Sequence, residues 1–167
     1  GRALTLNETV SVDNANTLLG LTSGKVTASV TAGNLTTLNG LNAEAGNAIA
    51  TTVNTSTVDL GDLATLDTKI DQASGGSISI NDATTLEGSF TELNSFYTNR
   101  ANFDDKTNIT KATLDAGALD SASDLATLSA NLQTNVNAAL QIDLQNVTTI
   151  TGSFSDLNTI RTNTGAL

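Results

Sequence analysis

The side chains that could do chemistry in this chain are carboxylates, hydroxyls and a few lysines and arginines, because the sequence contains no His and no Cys. Without imidazole and thiol groups, the Ser–His and Cys–His nucleophilic pairs are excluded, as are imidazole and thiolate metal sites. The densest acidic pairs are Asp59 with Asp62 and Asp104 with Asp105. A glycosidase needs two carboxylates facing a sugar cleft, and a chain with no Trp and one Tyr offers little for a sugar to stack on. We therefore expect no catalytic residues and no enzymatic activity.

Calcium is the ion that an acidic chain of this kind could bind, through oxygen ligands on loop aspartates. The stretch Gly75–Asp82 reads GGSISIND and begins like a glycine-rich calcium repeat. It lacks the third glycine and an aspartate in register, and the sequence has no EF-hand loop. We expect no cofactor-binding or metal-binding residues, with calcium at a loop aspartate left open against a solvated loop.

Threonine pairs recur at Thr51–Thr52, Thr84–Thr85 and Thr148–Thr149. Stacked side by side, they would form an exposed Thr stripe able to bind ice or a crystalline polysaccharide. The simpler interpretation is that one Thr of each pair lies in a sheet and the other hydrogen-bonds at the turn before a helix. We favour the simpler interpretation because β-branched Thr suits strands without any ligand.

The net charge of −10 bears on the choice of partners. Nucleic acids and anionic membrane surfaces are bound by patches of Lys and Arg, which an acidic chain with seven basic residues lacks. No apolar run approaches the length needed to cross a bilayer. We expect neither nucleic-acid binding nor membrane insertion.

The element that recurs is a helix start. GSFTELNSF at Gly88–Phe96 returns as GSFSDLNTI at Gly152–Ile160, and each phrase places an acid three residues after a serine. This spacing predicts a capping box, in which the serine accepts from the N3 amide and the acid accepts from the serine amide. Apolar residues three apart then share one helical face. The predicted caps are Ser56 with Asp59, Ser89 with Glu92, Ser121 with Asp124, and Ser153 with Asp156.

The same rule predicts the helix positions that face the core. They are Leu60, Leu63, Leu93, Phe96, Leu125, Leu128, Leu157 and Ile160. The four cap serines are 33, 32 and 32 residues apart, and a period in this range is typical of stacked repeat arrays.

Short runs rich in Val, Ile and Thr alternate with these helices and predict strands. The predicted strands are Thr5–Val12, Lys25–Val30, Ala48–Val53, Ser77–Ile80, Ile109–Leu114 and Val136–Leu144. We expect an α/β fold, a βα solenoid of about six strand–helix units with one parallel sheet and a helix layer. The units would span residues 2–24, 25–47, 48–76, 77–107, 108–135 and 136–167 of one array, cut from a longer chain. A globular α/β domain with a reordered sheet is the alternative; a leucine-rich-repeat horseshoe lacks its Leu and Asn ladder.

The phrases ATTLEGSFTELN (Ala83–Asn94) and VTTITGSFSDLN (Val147–Asn158) resemble a unit of giant repetitive cell-surface and secreted proteins of marine cyanobacteria and related bacteria. These include surface proteins associated with non-flagellar swimming. The resemblance implies an extracellular, adhesin-like or surface-coat role and no catalytic residues.

Taken together, these patterns predict a non-enzymatic structural segment of a large secreted or cell-surface protein, acting as spacer, coat or adhesin stalk. Its expected partners are neighbouring repeats or identical subunits in an extended or filamentous assembly. The alternative is an adhesin module that binds a surface or a cell-surface glycan through its loops or a Thr stripe.

Overall fold

The computed structural model describes residues 1–42, 45–119 and 121–164, so residues 43–44 of the second expected repeat and 165–167 of the last lie outside the described residues. The fold is α/β, and every strand pair within these ranges is parallel. The strands are β1 (Leu4–Val10), β2 (Val26–Val30), β3 (Ala48–Thr52), β4 (Thr57–Asp59), β5 (Ser77–Ser79), β6 (Thr85–Gly88), β7 (Phe103–Asp104), β8 (Lys111–Leu114), β9 (Gly117–Leu119), β10 (Gln141–Asp143) and β11 (Val147–Ile150). The helices are α1 (Val12–Leu21), α2 (Leu35–Leu38), α3 (Leu60–Asp67), α4 (Phe90–Thr98), α5 (Ala122–Asn135) and α6 (Phe154–Thr164).

The strands form three sheets rather than the single sheet that the sequence predicts. One sheet has the order β1-β2-β3-β5-β7, the second β4-β6-β8-β10 and the third β9-β11. In each sheet the neighbours follow chain order. The prediction of one sheet is wrong because the short segments before α3, α4, α5 and α6 form strands of their own.

The chain is divided into two compact parts, each built from three segments. The first contains Gly1–Thr55, Gly61–Asp82 and Ala101–Asp105, and it holds the five-stranded sheet. Its core comes from alternate strand positions such as Val26, Ala28 and Val30, since successive side chains of a strand face opposite sides.

The second compact part contains Ser56–Leu60, Ala83–Arg100 and Lys106–Leu167, with the four- and two-stranded sheets. A buried row crosses its larger sheet in register through Val58, Leu86, Ala112 and Ile142. The core of this part therefore runs continuously from strand to strand.

The first four predicted strands correspond to β1, β2, β3 and β5 with boundaries shifted by at most two residues. The fifth and sixth are shorter than predicted, because Ile109 lies outside β8 and Val136 caps the end of α5. Asp104, predicted to lie in a loop, belongs to β7.

Candidate functional site

The start of α4 has the full capping box. The Ser89 Oγ accepts from the Glu92 N–H at 3.2 Å, and the Glu92 carboxylate accepts from the Ser89 N–H at 2.7 Å. The Ser89 N–H, helped by the Ser89 hydroxyl, lowers the pKa of Glu92 below its ordinary value. The charged form of Glu92 is therefore part of the helix start.

The later copies of the phrase make related contacts with a shorter acid. The Ser121 Oγ accepts from the Asp124 N–H at 3.1 Å, and the Ser153 Oγ accepts from the Asp156 N–H at 3.2 Å. The Ser153 hydroxyl also donates to the Asp156 carboxylate at 2.6 Å. These serines lie one residue before α5 and α6, where the sequence predicts caps.

Ser56 is not a helix cap, so the predicted pair of Ser56 with Asp59 and the helix Ser56–Asp71 are wrong. Ser56 precedes β4, Asp59 is the last residue of that strand, and α3 begins at Leu60. The Ser56 carbonyl accepts from the Thr84 N–H at 2.8 Å, and the Thr84 carbonyl accepts from the Thr110 N–H at 3.0 Å. The counterpart of Ser56 in the next repeat is thus Thr84 and not Ser89, because the strand register fixes the alignment.

Two caps were missed at the sequence stage of the argument because their helices lack an acid at N3. Ser11 accepts from the Asn14 N–H at 3.2 Å, and Asn34 accepts from the Thr37 N–H at 2.8 Å. The signal that finds all six helices is a capping residue followed by apolar residues one and four positions later. The residues before the helices are Ser11, Asn34, Asp59, Ser89, Ser121 and Ser153; the apolar pairs are Val12 and Ala15, Leu35 and Leu38, Leu60 and Leu63, Phe90 and Leu93, Ala122 and Leu125, and Phe154 and Leu157.

The predicted core face of the helices is buried at every position except one. Leu60, Leu63, Leu93, Phe96, Leu125, Leu128 and Ile160 are all buried. Leu157 is partly exposed, as is expected for a side chain that packs on one flank alone. The helices therefore use the face that the spacing of three defines.

Polar side chains of the first compact part connect successive turns of the chain. Asn47 is 6 % exposed, and its Oδ1 accepts from the Val26 N–H at 2.6 Å. The Asn16 side chain donates to the Gly40 carbonyl at 2.8 Å and accepts from the Asn42 N–H at 2.9 Å. These side chains satisfy loop groups that would otherwise lack partners, and they join residues 21 to 26 positions apart.

The carboxylates with shifted pKa values are explained by local partners. The Gly46 N–H, followed by the Ser74 hydroxyl, lowers the pKa of Asp71. The Lys111 ammonium, 2.7 Å from Asp143, lowers the pKa of that carboxyl. Both arrangements hold carboxylates in their charged form, which is the opposite of the raised pKa that a general acid needs at neutral pH.

The acidic pairs and the glycine-rich stretch make no metal centre in the described part of the chain. Asp105 lies at the end of β7 with a φ of 57°, and its carboxylate accepts from the Ser79 hydroxyl at 2.9 Å. Gly75, with a φ of 94°, ends a short 3-10 helix before β5 and so serves the backbone. Within residues 1–42, 45–119 and 121–164, no three Asp or Glu side chains form a group able to hold a metal ion.

The threonine pairs do not form a stripe. Thr51–Thr52 belongs to β3, Thr85 to β6 and Thr148–Thr149 to β11, which are strands of three different sheets. The Thr84 hydroxyl instead donates to the Ser56 carbonyl at 3.2 Å, and the Thr148 hydroxyl donates to the Gly117 carbonyl at 3.1 Å. The Thr stripe is therefore wrong as a binding surface, and these hydroxyls bond to backbone.

Two shallow cavities of the second compact part meet at Phe90. One, of about 310 Å³, lies between the start of α4 and the segment from Leu114 to Gly117. The other, of about 260 Å³, lies between α4 and α5 beside Asp124 and Asn131. Neither combines a nucleophile with a base, since the ionisable lining residues are Asp115 and Asp124 respectively.

In the part of the chain that the structure describes, no helix is long and apolar enough to cross a membrane. No protein-family model matches the chain, and no curated protein or solved structure is significantly similar to it.

Proposed function

We propose that the chain is a non-enzymatic structural segment of a large secreted or cell-surface protein, in which about six βα units stack as a solenoid. The observation that carries the proposal is the strand order. Each strand pairs with the nearest earlier and later strands of its own sheet, and paired residues lie 20 to 31 positions apart. A globular α/β sheet that reorders its strands does not produce this sequence of neighbours.

The stacking is supported by contacts that repeat once per unit. Backbone bonds pass from Gln141 to Thr110, from Thr110 to Thr84 and from Thr84 to Ser56. Each unit presents a strand and one helical stripe, which is too little apolar surface to fold alone. Stability in such an array comes from neighbouring units, which suits a protein that spaces or coats rather than one that encloses a substrate.

The extracellular location is supported by the resemblance of the repeated phrases to giant bacterial surface proteins and by the acidic composition. A net charge of −10 keeps extended molecules soluble and mutually repelling. The partners proposed are neighbouring repeats or identical subunits in an extended assembly.

The test is the size and place of the native polypeptide. An antibody raised against this segment would be used on surface, secreted and cytosolic fractions of the source cells, separated on a large-pore gel. A band far larger than the segment, in the surface or secreted fraction, is the expected result. A cytosolic band near 17.0 kDa, the mass of the segment itself, would contradict the proposal.

A further inference from the structure

The first residue of α6 is an apolar side chain left in solvent. Phe154 is 87 % exposed, whereas its counterparts Leu60 and Ala122, at the starts of α3 and α5, are 3 % and 0 % exposed. The three side chains hold the same position, one residue after the capping residue. The difference therefore lies in what covers them.

A glycine of the next repeat covers each buried counterpart. A Cβ added to Gly88 would lie 3.1 Å from the Leu60 Cβ, and one added to Gly152 would overlap the Ala122 Cβ. The Ala122 N–H also donates to the Thr151 carbonyl at 2.8 Å. In both cases the covering residue directly precedes the serine that caps the next helix, so close approach requires a glycine there.

The junction without such a glycine is looser. The residue before Ser121 is Asp120, which lies outside the described residues, and the first side chain of α4, Phe90, is partly exposed beside the cavity of about 310 Å³. A glycine before the cap therefore accompanies the tight junctions.

The strands next to Phe154 are sheet edges among the described residues. β10 is an outer strand of its sheet and β11 is an outer strand of the two-stranded sheet. Together with Phe154 and Leu157, the outer edges of β10 and β11 are called the terminal face below. An edge of this kind adds a parallel strand through main-chain hydrogen bonds.

We propose that the terminal face binds a further repeat unit, a short strand ending in glycine and followed directly by a serine-capped helix. The glycine would lie over Phe154 as Gly152 lies over Ala122, and its strand would extend β11. This inference rests on the proposed stacked-repeat function. The front of a second copy does not supply such a unit, because Val10 and not glycine precedes the Ser11 cap.

The test is a chain lengthened by one unit. Residues 136–167 are repeated after Leu167, which places the new cap 32 residues after Ser153, the interval that separates Ser153 from Ser121. Phe154→Trp supplies the reporter, since the natural sequence has no Trp. In the lengthened chain we expect Trp emission to shift to shorter wavelength and quenching by acrylamide to fall several-fold, relative to the original chain carrying Phe154→Trp.

Two matched controls are a lengthened chain whose added glycine, the copy of Gly152, is changed to Val, and one whose added 32 residues are scrambled. Both should emit like the original chain. As a second measurement without the reporter, hydrogen exchange of the Val147–Ile150 amides should slow by roughly tenfold or more in the lengthened chain.

An unshifted emission with unslowed exchange would overturn the proposal. So would a concentration-dependent shift in the original chain, which would make a second copy the occupant. Gly152→Val in the original chain separates the two hypotheses: if it destabilises the fold while the terminal face binds nothing, the inference fails and stacking within the segment survives. If neither junction matters, the stacked-repeat function fails as well.

Discussion

At the scale of single residues, the helix starts decide where each repeat turns. Ser89 and Glu92 satisfy three groups of the first turn of α4 within four residues, and Ser121 and Ser153 repeat the serine half of that arrangement. Ser56 shows that the letters alone are not enough. It has an acid three residues later, yet the strand hydrogen bonds of its neighbours make it a strand residue.

Ser89→Ala should lower the free energy of unfolding by about 1 kcal/mol, because the Glu92 N–H loses its acceptor. Ser56→Ala is the matched control and should change it by less than about 0.5 kcal/mol, since that side chain is exposed and precedes a strand. Urea unfolding followed by circular dichroism measures both. Equal losses would mean that Ser56 caps a helix after all.

Acid should weaken the start of α4 through Glu92. Its pKa is lower in the folded state than in the unfolded chain, so the stabilisation is complete above the ordinary glutamate pKa of about 4.3 and is lost as pH falls through the lower folded value. Glu92→Gln keeps the hydrogen-bond acceptor without the titration. We expect the stability difference between native chain and Glu92→Gln to shrink as pH is lowered from 6 to about 3 (urea midpoints at each pH). A constant difference would exclude Glu92 as a source of acid sensitivity.

At the scale of elements, the helical face follows from spacing, but the short strands do not. β1, β2, β3 and β5 carry alternating Val, Leu or Ile and are recognisable. β4, β6, β9 and β11 have three or four residues each and stand directly before a helix or its cap, so their pattern is too short to separate from a turn. Their strand state depends on pairing with residues 26 to 31 positions away, which local sequence does not encode.

The caps were predictable where serine and acid occur together and unpredictable where Asn34 or Ser11 acts alone. Phe154 could not have been identified as exposed, because the same phrase gives a partly buried side chain at Phe90. Burial there depends on the neighbouring repeat and not on the phrase.

Leu93→Ala should cost about 2–5 kcal/mol of unfolding free energy, because Leu93 is fully enclosed and truncation leaves a cavity. Leu157→Ala, at the equivalent position of α6, should cost less, about 1–2 kcal/mol, because its side chain is partly exposed and water fills part of the space. The comparison uses urea midpoints at equal m-values. A larger loss for Leu157 would show that the face of α6 is covered in solution.

At the scale of the whole molecule, an array should tolerate loss of a complete repeat better than loss of half. Deleting residues 122–153 removes 32 positions and joins Ser121 to Phe154, which restores a serine cap followed by an apolar residue. We expect this chain to unfold cooperatively with a smaller m-value, since less surface becomes exposed. Deleting residues 122–137 is the control and should abolish the cooperative transition. If both deletions do so, the repeats are not independent units of stacking.

The interleaving of the two compact parts bears on how such a gene can change. Each part draws on three separate stretches of chain, so no single crossover in the DNA could transfer one part intact to another protein. Crossovers between the near-identical phrases at Gly88 and Gly152 would instead insert or remove 64 codons in frame. Length variation among descendants of this gene is therefore expected to come in whole phrases, and the boundaries of inheritance will differ from the boundaries of folding.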